Sequence, residues 1–452
     1  MTETGKVSPM SNAAPMVQID AIQEADLQHH LHPMTNPQAL QSEGAIVVER
    51  AEGIYLYTQE GFQLIDCISG LGCVNIGYGN ERVCEAGYNA MRQLSYAHTF
   101  QHFSNPNAAN LSQKMAEITP DNFQRFLFTS IGSDAVESAI KLTYLYWRQK
   151  GQPDKRIVIS RDYAYHGNTV LATSLTGIPH YHEQFGLPLK DIVHHIPTPY
   201  WYKSDQQQSP EEFGLQTARE LQKAIDELGA DNIAAFIGEP LQMAGGMIFP
   251  PSTYWPEIER ICRENDILLI ADEVVTGFGK TGRMFAHETY GFNPDIMTLA
   301  KGLTSAYFPM GCVAVGKKVD AVLQSMNEPL ELGFTNCGHP VGSAIALENI
   351  AVIEDEGLVG RVQNEIGPHL KRRLAEFEQY AFVGETDSMG VIGAIQFTDL
   401  EHAEKVSTAA SNLGLIARPI ESRMGFCLPM IITKEETDEI FDRLHHAFQS
   451  IG

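Results

Sequence analysis

No apolar run in this chain approaches the roughly eighteen residues that a membrane-spanning helix needs. None of its seven cysteines forms a Cys-x-x-Cys pair. The cysteines (Cys67, Cys73, Cys84, Cys262, Cys312, Cys337 and Cys427) are odd in number and scattered, which speaks against a disulfide framework and for reduced, mostly buried thiols. The opening residues lack the basic and apolar regions of an export signal, so a cytoplasmic location is expected. Positive charge is also scarce. Lys and Arg number 32 against 56 Asp and Glu, a formal net charge of −24. Such a surface repels nucleic acid and anionic membrane, and neither is expected as a partner. Familiar catalytic signatures are missing as well: there is no G-x-S-x-G elbow, no G-x-G-x-x-G after a strand and no zinc-type ligand cluster. Gly277 to Thr281 resembles the end of a P-loop, but the pattern needs glycine where Val274 stands. His29, His30 and His32 are read as packing and hydrogen-bonding residues, and no metal is expected.

What is present is a chain of 452 residues, 43% hydrophobic, enough for a large core in two or three lobes. Its organising stretch runs from Ile267 to Gly302. Ile267 to Ala271 is an apolar, β-branched-rich run that predicts a strand buried on both faces, with Asp272 at its carboxyl end. A second run, Ile296 to Ala300, presents Lys301 in the same way. The separation, 301 − 272 = 29 residues, accommodates one crossover between neighbouring parallel strands. A lone carboxylate at a buried strand end needs a cationic partner or several hydrogen bonds. An amine and a carboxylate at one sheet edge suit pyridoxal phosphate. Lysine condenses with its aldehyde, while the carboxylate keeps the ring nitrogen protonated and the ring electron-withdrawing.

Elsewhere, residues 1 to 20 are expected to form a loosely ordered tail, followed by short strands over Ala45–Arg50, Ile54–Thr58 and Gln63–Ile68. Leu71 to Asn80 is a Gly-rich loop, and the aromatic residues between Tyr96 and Phe103, Phe100 among them, are candidates for a pocket wall or for core. Phe126 to Thr129 predicts a strand that turns into a helix. Gly132 and Ser133 then stand at that helix's N-terminus, where free N–H groups favour a phosphate. The strand Arg156–Ile159 leads to Tyr165 and His166, and the strand Ala234–Gly238 to Glu239. Glu239 suits either orienting a cofactor ring or a structural ion pair. Glu220–Leu228, Ile345–Glu356 and Gly360–Gln379 predict helices, and Gly311–Val315 a strand leaving the large domain.

Six segments, ADEVVTGFGKTG, DIMTLAKGLTS, FTSIGSDAVESAIK, YHGNT, FIGEP and GFTNCGHPV, stand in the order and near the spacing of the class III aminotransferases, which the chain resembles from about Leu31 to Thr433. HHLHPMTNP, GCVNIGYGN and GLTSAYFPMG are most similar to the branch that moves amino groups from ω-amines or ω-amino acids to pyruvate. The resemblance implies an α/β protein of fold type I. Its large domain, residues 71–330, holds a mostly parallel sheet between helices, and a small α/β domain is built from residues 1–70 and 331–452. It implies a two-stage ping-pong transfer through a Schiff base on Lys301, with Asp272 sustaining the electron sink. It also implies cofactor contacts from Gly132, Ser133, Tyr165, His166, Glu239 and Val274, with Tyr165 stacking on the ring. Thr335 is expected to reach the phosphate of the neighbouring subunit, so a homodimer, or a tetramer built from it, is implied. Several members of the branch carry Trp at the position of Gly72, which implies a roomier substrate pocket here. Arg418 matches the arginine that binds a substrate carboxylate, a task suited to its planar donors, although Gly425 to Pro429 departs from the branch's Ala-Pro-Pro. The same family shape also supports an aminomutase or a decarboxylase, and a non-catalytic protein on this fold is the alternative of another class.

Overall fold

The computed structural model describes residues 21–451, so the expected tail over residues 1–20 lies outside the described residues. Three strands, β1 (Val48–Glu52), β2 (Tyr55–Thr58) and β3 (Gln63–Asp66), form an antiparallel run near the start. Where β3 ends, the Asp66 carboxylate accepts the N–H groups of Ile68 (3.0 Å) and Gly70 (2.6 Å) and the Tyr78 hydroxyl (2.7 Å). It thereby ties down the Gly-rich segment that follows. Gly77 closes this segment at φ 73°, and a Cβ there would lie 2.6 Å from the Gly53 carbonyl.

The large sheet consists of β4 (Phe123–Thr129), β5 (Ile157–Arg161), β6 (Val193–Ile196), β7 (Ile233–Gly238), β8 (Leu268–Asp272), β9 (Ile296–Leu299) and β10 (Gly311–Gly316). Their spatial order is β4-β10-β9-β8-β7-β5-β6. Only β10 opposes the rest, being antiparallel to both β4 and β9. Its place corrects the expectation that Gly311–Val315 leaves the large domain: all of β10 is buried between two strands whose edges it satisfies. An apolar run looks the same in either setting. Since the other six strands point one way, the carboxyl ends of β4, β5, β7, β8 and β9 share an edge, where ligands of open α/β sheets gather.

Strand residues alternate between two cores. Ala235, Ile237, Leu268 and Ile270 face the helix Gly132–Gln149 through Val136, Ala139, Ile140 and Trp147. Phe236, Leu269 and Ala271 face the helix Tyr254–Glu264 through Trp255, Ile258 and Ile261. The Trp147 indole donates to the Ala234 carbonyl (2.8 Å) and the Trp255 indole to the Pro240 carbonyl (2.8 Å), fixing the chain before and after the end of β7.

The end of the chain carries β11 (Val383–Met389), β12 (Ile392–Phe397), β13 (Leu415–Ile416), β14 (Arg418–Ile420) and β15 (Arg423–Cys427). β13 pairs parallel with β3, Leu415 beside Ile65, so one small sheet is woven from both ends of the described chain. The others form an antiparallel sheet in the order β11-β12-β15-β14. Two helices depart from expectation. One begins at Pro340 rather than Ile345, because His339 caps it by accepting the Val341 N–H (3.2 Å). The run from Gly360 to Gln379 contains a π-helical turn at Val362–Ile366. Pro368 follows it and has no N–H to continue a regular ladder.

Candidate active site

Five strand ends converge on a cavity of about 170 Å³. Gly132 and Ser133 enter after β4, Tyr165 and His166 after β5, Glu239 after β7, Asp272 and Val274 at and beyond β8, and Lys301 after β9. A larger cavity, about 510 Å³, shares no lining residue with this one. Chemistry rather than volume singles out the smaller, because reactive and charged groups face one another across it.

Asp272, 3% exposed, accepts the Val274 N–H (3.1 Å) on one oxygen and meets His166 Nδ1 at 2.7 Å with the other. The carboxylate fixes the imidazole as an Nδ1 donor. The His166 backbone N–H donates to Thr176 Oγ1 (3.0 Å), while its Nε2 is buried with no partner among the described residues. Glu239 forms no ion pair among the described residues. Its two oxygens accept the N–H groups of Tyr165 (3.0 Å) and Met243 (3.2 Å), so it positions the Tyr165 backbone. Burial, followed by the charge of Asp272, raises its pKa, and His166 opposes the shift.

Lys301 adopts φ 44°, a left-handed backbone that costs a non-glycine residue about 1 kcal/mol or more. Its ammonium has no hydrogen bond or ion pair among the described residues. Burial draws its pKa below the ordinary lysine value, while the nearby Asp272 and Glu239 carboxyl groups act in the opposite direction. A buried, unpaired amine favours its neutral, nucleophilic form.

At the other end of the cavity the helix Gly132–Gln149 begins. Its first N–H groups have no intrahelical carbonyl to bond. Ser133 Oγ accepts the Asn168 N–H (3.0 Å), and a Cβ on Gly167, at φ 135°, would fall 2.5 Å from that oxygen. Gly132 is similarly close-packed, a Cβ there meeting Val274 at 3.1 Å. A helix N-terminus with a hydroxyl, a buried carboxylate and an unpaired lysine across one cavity fit the phosphate, ring nitrogen and aldehyde of pyridoxal phosphate.

The remaining candidates lie off this wall in a single chain. Gly72 is one layer behind it, where a Cβ would touch Val275 at 3.1 Å. Phe100 packs over Gly333, Thr335 is exposed with its carbonyl accepting the Tyr96 hydroxyl (2.9 Å), and Arg418 stands on β14, near enough for its charge to act on Tyr165. Inspection of motifs missed Lys280, set aside with the failed P-loop. It is fully buried, donates to the carbonyls of Gly72 (2.8 Å) and Val275 (3.3 Å) and to Asn75 Oδ1, and burial pulls its pKa to about 8, with the charge of Lys301 acting the same way. The histidines near the start do find a carboxylate. Asp26 meets His30 at 3.0 Å and His32 at 2.6 Å, a pairing visible only once the helix Ala21–His29 is drawn.

The model of the family "Aminotransferase class-III" matches residues 38–448. A putrescine–pyruvate aminotransferase of Pseudomonas aeruginosa is 40% identical over 422 residues, covering 91% of this chain and 92% of the relative. A diaminobutyrate–2-oxoglutarate transaminase of Halomonas elongata is 39% identical, with 90% of each chain covered. The ω-transaminase of Pseudomonas jessenii, solved in complex with PMP, superposes with a TM-score of 0.93 at 36% identity, over 95% of this chain and 98% of its own.

Proposed function

The chain belongs to the class III aminotransferase family, and we propose that it moves an amino group from an ω-amine or ω-amino acid to pyruvate in two half-reactions. The observation that carries this reading is the unpaired Lys301 facing the buried Asp272–His166 pair across one cavity. The relative that acts on putrescine and pyruvate supports the choice of substrates.

Pyridoxal phosphate, when bound, supplies an electrophilic carbon and a ring that withdraws electrons from the carbon bearing the transferred nitrogen. Asp272 would hold the ring nitrogen in its protonated form, with His166 keeping the carboxylate in place and one of its oxygens turned inward. Gly132 and Ser133 would hold the phosphate through N–H groups and the hydroxyl, while Glu239 sets the position of Tyr165, whose ring would cover one face. Lys301 Nζ would anchor the cofactor. Once displaced by the donor amine it would act as the base that moves the proton off the substrate carbon, and then as the acid that returns it elsewhere. Burial, which lowers its pKa, favours the neutral amine that the first of these tasks needs. Val274 lines the wall beside Gly132.

Thr335 is exposed and off its own chain's cavity, which supports a homodimer in which this residue completes the neighbouring phosphate site. All seven cysteines are free, which supports a cytoplasmic location, and no described helix is long and apolar enough to cross a membrane.

The test is the visible absorbance of the protein loaded with pyridoxal phosphate. Adding a four-carbon diamine should abolish the band of the lysine-bound cofactor, and adding pyruvate should restore it with stoichiometric alanine. With an ω-amino acid in place of the diamine, release of carbon dioxide or of an isomer with no alanine formed on adding pyruvate would replace amino transfer by a decarboxylase or aminomutase reaction.

A further inference from the structure

The larger cavity, about 510 Å³, is walled by the segment Tyr200–Tyr202, the loop around Phe249, the end of the helix Ala286–Tyr290, and β11. Glu385 and Asp387, two apart on β11, both contribute to the lining. Arg423, the one cation of the lining among the described residues, is already engaged: it donates to the carbonyls of Gly246 (2.9 Å) and Met247 (2.8 Å) and reaches Glu385 at 3.3 Å. Asp387 accepts the N–H of Ser388 (2.7 Å) and, among the described residues, has no cation within ion-pair distance; Arg423 and Lys371 act on it only from farther away. Beside it, Tyr290 is 8% exposed and its buried hydroxyl has no partner among the described residues. After burial itself, the charge of Asp387 is the strongest influence on that hydroxyl.

Two carboxylates against one committed guanidinium leave the cavity with one uncompensated negative charge, enclosed by aromatic faces that attract cations. A divalent metal is a poor match, because it would demand many more oxygen ligands than one free carboxylate offers. An ammonium with an aliphatic chain fits better: its N–H groups would donate to Asp387 and to the Tyr290 oxygen, and its methylenes would lie against Tyr200, Trp201, Tyr202 and Phe249. We propose that this cavity is a binding site for an aliphatic organic ammonium ion, separate from the active cavity, with Asp387 and Tyr290 as its polar anchor. Burial holds the Asp387 carboxyl above the usual carboxylate range, and a bound cation would relieve that shift.

The probe is N,N-dimethylbutylammonium, a tertiary ammonium that keeps an N–H donor yet cannot condense with an aldehyde, titrated calorimetrically into the full chain loaded with pyridoxal phosphate. One saturable site per chain is expected. Asp387→Asn should weaken it at least tenfold, and Trp201→Ala, from a different wall, should weaken it severalfold. Both variants should keep the wild-type kcat. Asp387→Asn should melt no lower than wild type, since it removes a half-buried charge that has no cation partner among the described residues. Absence of saturable binding to the wild type, or unchanged affinity in both variants, would overturn the site.

Discussion

Replacing Asp272 by Asn keeps the shape of the side chain and removes only its charge. The carboxylate is 3% exposed and held by one imidazole and one backbone N–H, so there is little solvent to screen it. A unit charge acting on a cationic partner at about 4 Å is worth ~4 kcal/mol at an effective dielectric near 20. That corresponds to about three pKa units in the partner. If Asp272 serves to keep a ring nitrogen protonated, Asp272→Asn should lower the rate of the first half-reaction by about two to three orders of magnitude. The assay is single-turnover bleaching of the lysine-bound cofactor by a saturating diamine. Stability gives the internal control. Asp272 and Glu239 repel one another, so without cofactor the variant should lose no more than about 1 kcal/mol in urea unfolding. A half-reaction within threefold of wild type would refute the electrostatic role. A large loss of cofactor-free stability would instead make Asp272 a structural residue that holds His166.

Three further outcomes follow from particular contacts. Gly167→Ala should cut pyridoxal phosphate affinity at least tenfold, measured by absorbance titration, because its Cβ would meet Ser133 Oγ at 2.5 Å. Lys280 is drawn from 10.5 to about 8, so between those pH values the unfolded chain holds a proton that the folded one has lost, and the stability of the wild type should rise across that window. Lys280→Met should remove that rise, as read by chemical unfolding at pH 7.5 and 10. Arg418→Leu should raise the KM of pyruvate and ω-amino acids at least tenfold while leaving that of a diamine within twofold, if this guanidinium meets the substrate carboxylate.

The strongest features of the site were legible because each follows a short apolar run. Asp272 and Lys301 stand where two buried strands end, and two parallel neighbours put those ends on one edge whatever the loops between them do. Gly132 and Ser133 were readable as a helix start for the same reason. The placement of β10 was not, since Gly311–Val315 carries no mark that distinguishes a strand inside the sheet from one leaving it. Glu239 left two readings open, and geometry shows its oxygens on backbone N–H groups rather than on a cation. Lys280 looked like part of a nucleotide motif, and only packing reveals a buried amine among carbonyls. Asp387 and Tyr290 lie far apart in the chain, and no local pattern predicts that they share a cavity.

The claim on which the rest depends is that Lys301, and not the fully buried Lys280, is the amine that takes the cofactor. Reduction of the pyridoxal phosphate-loaded protein with borohydride, followed by mass mapping of peptides, tests it directly. The account predicts one pyridoxyl group per chain, on the peptide containing Lys301, and none after Lys301→Ala. A label on Lys280, or an unlabelled chain that still transfers amino groups, would contradict it.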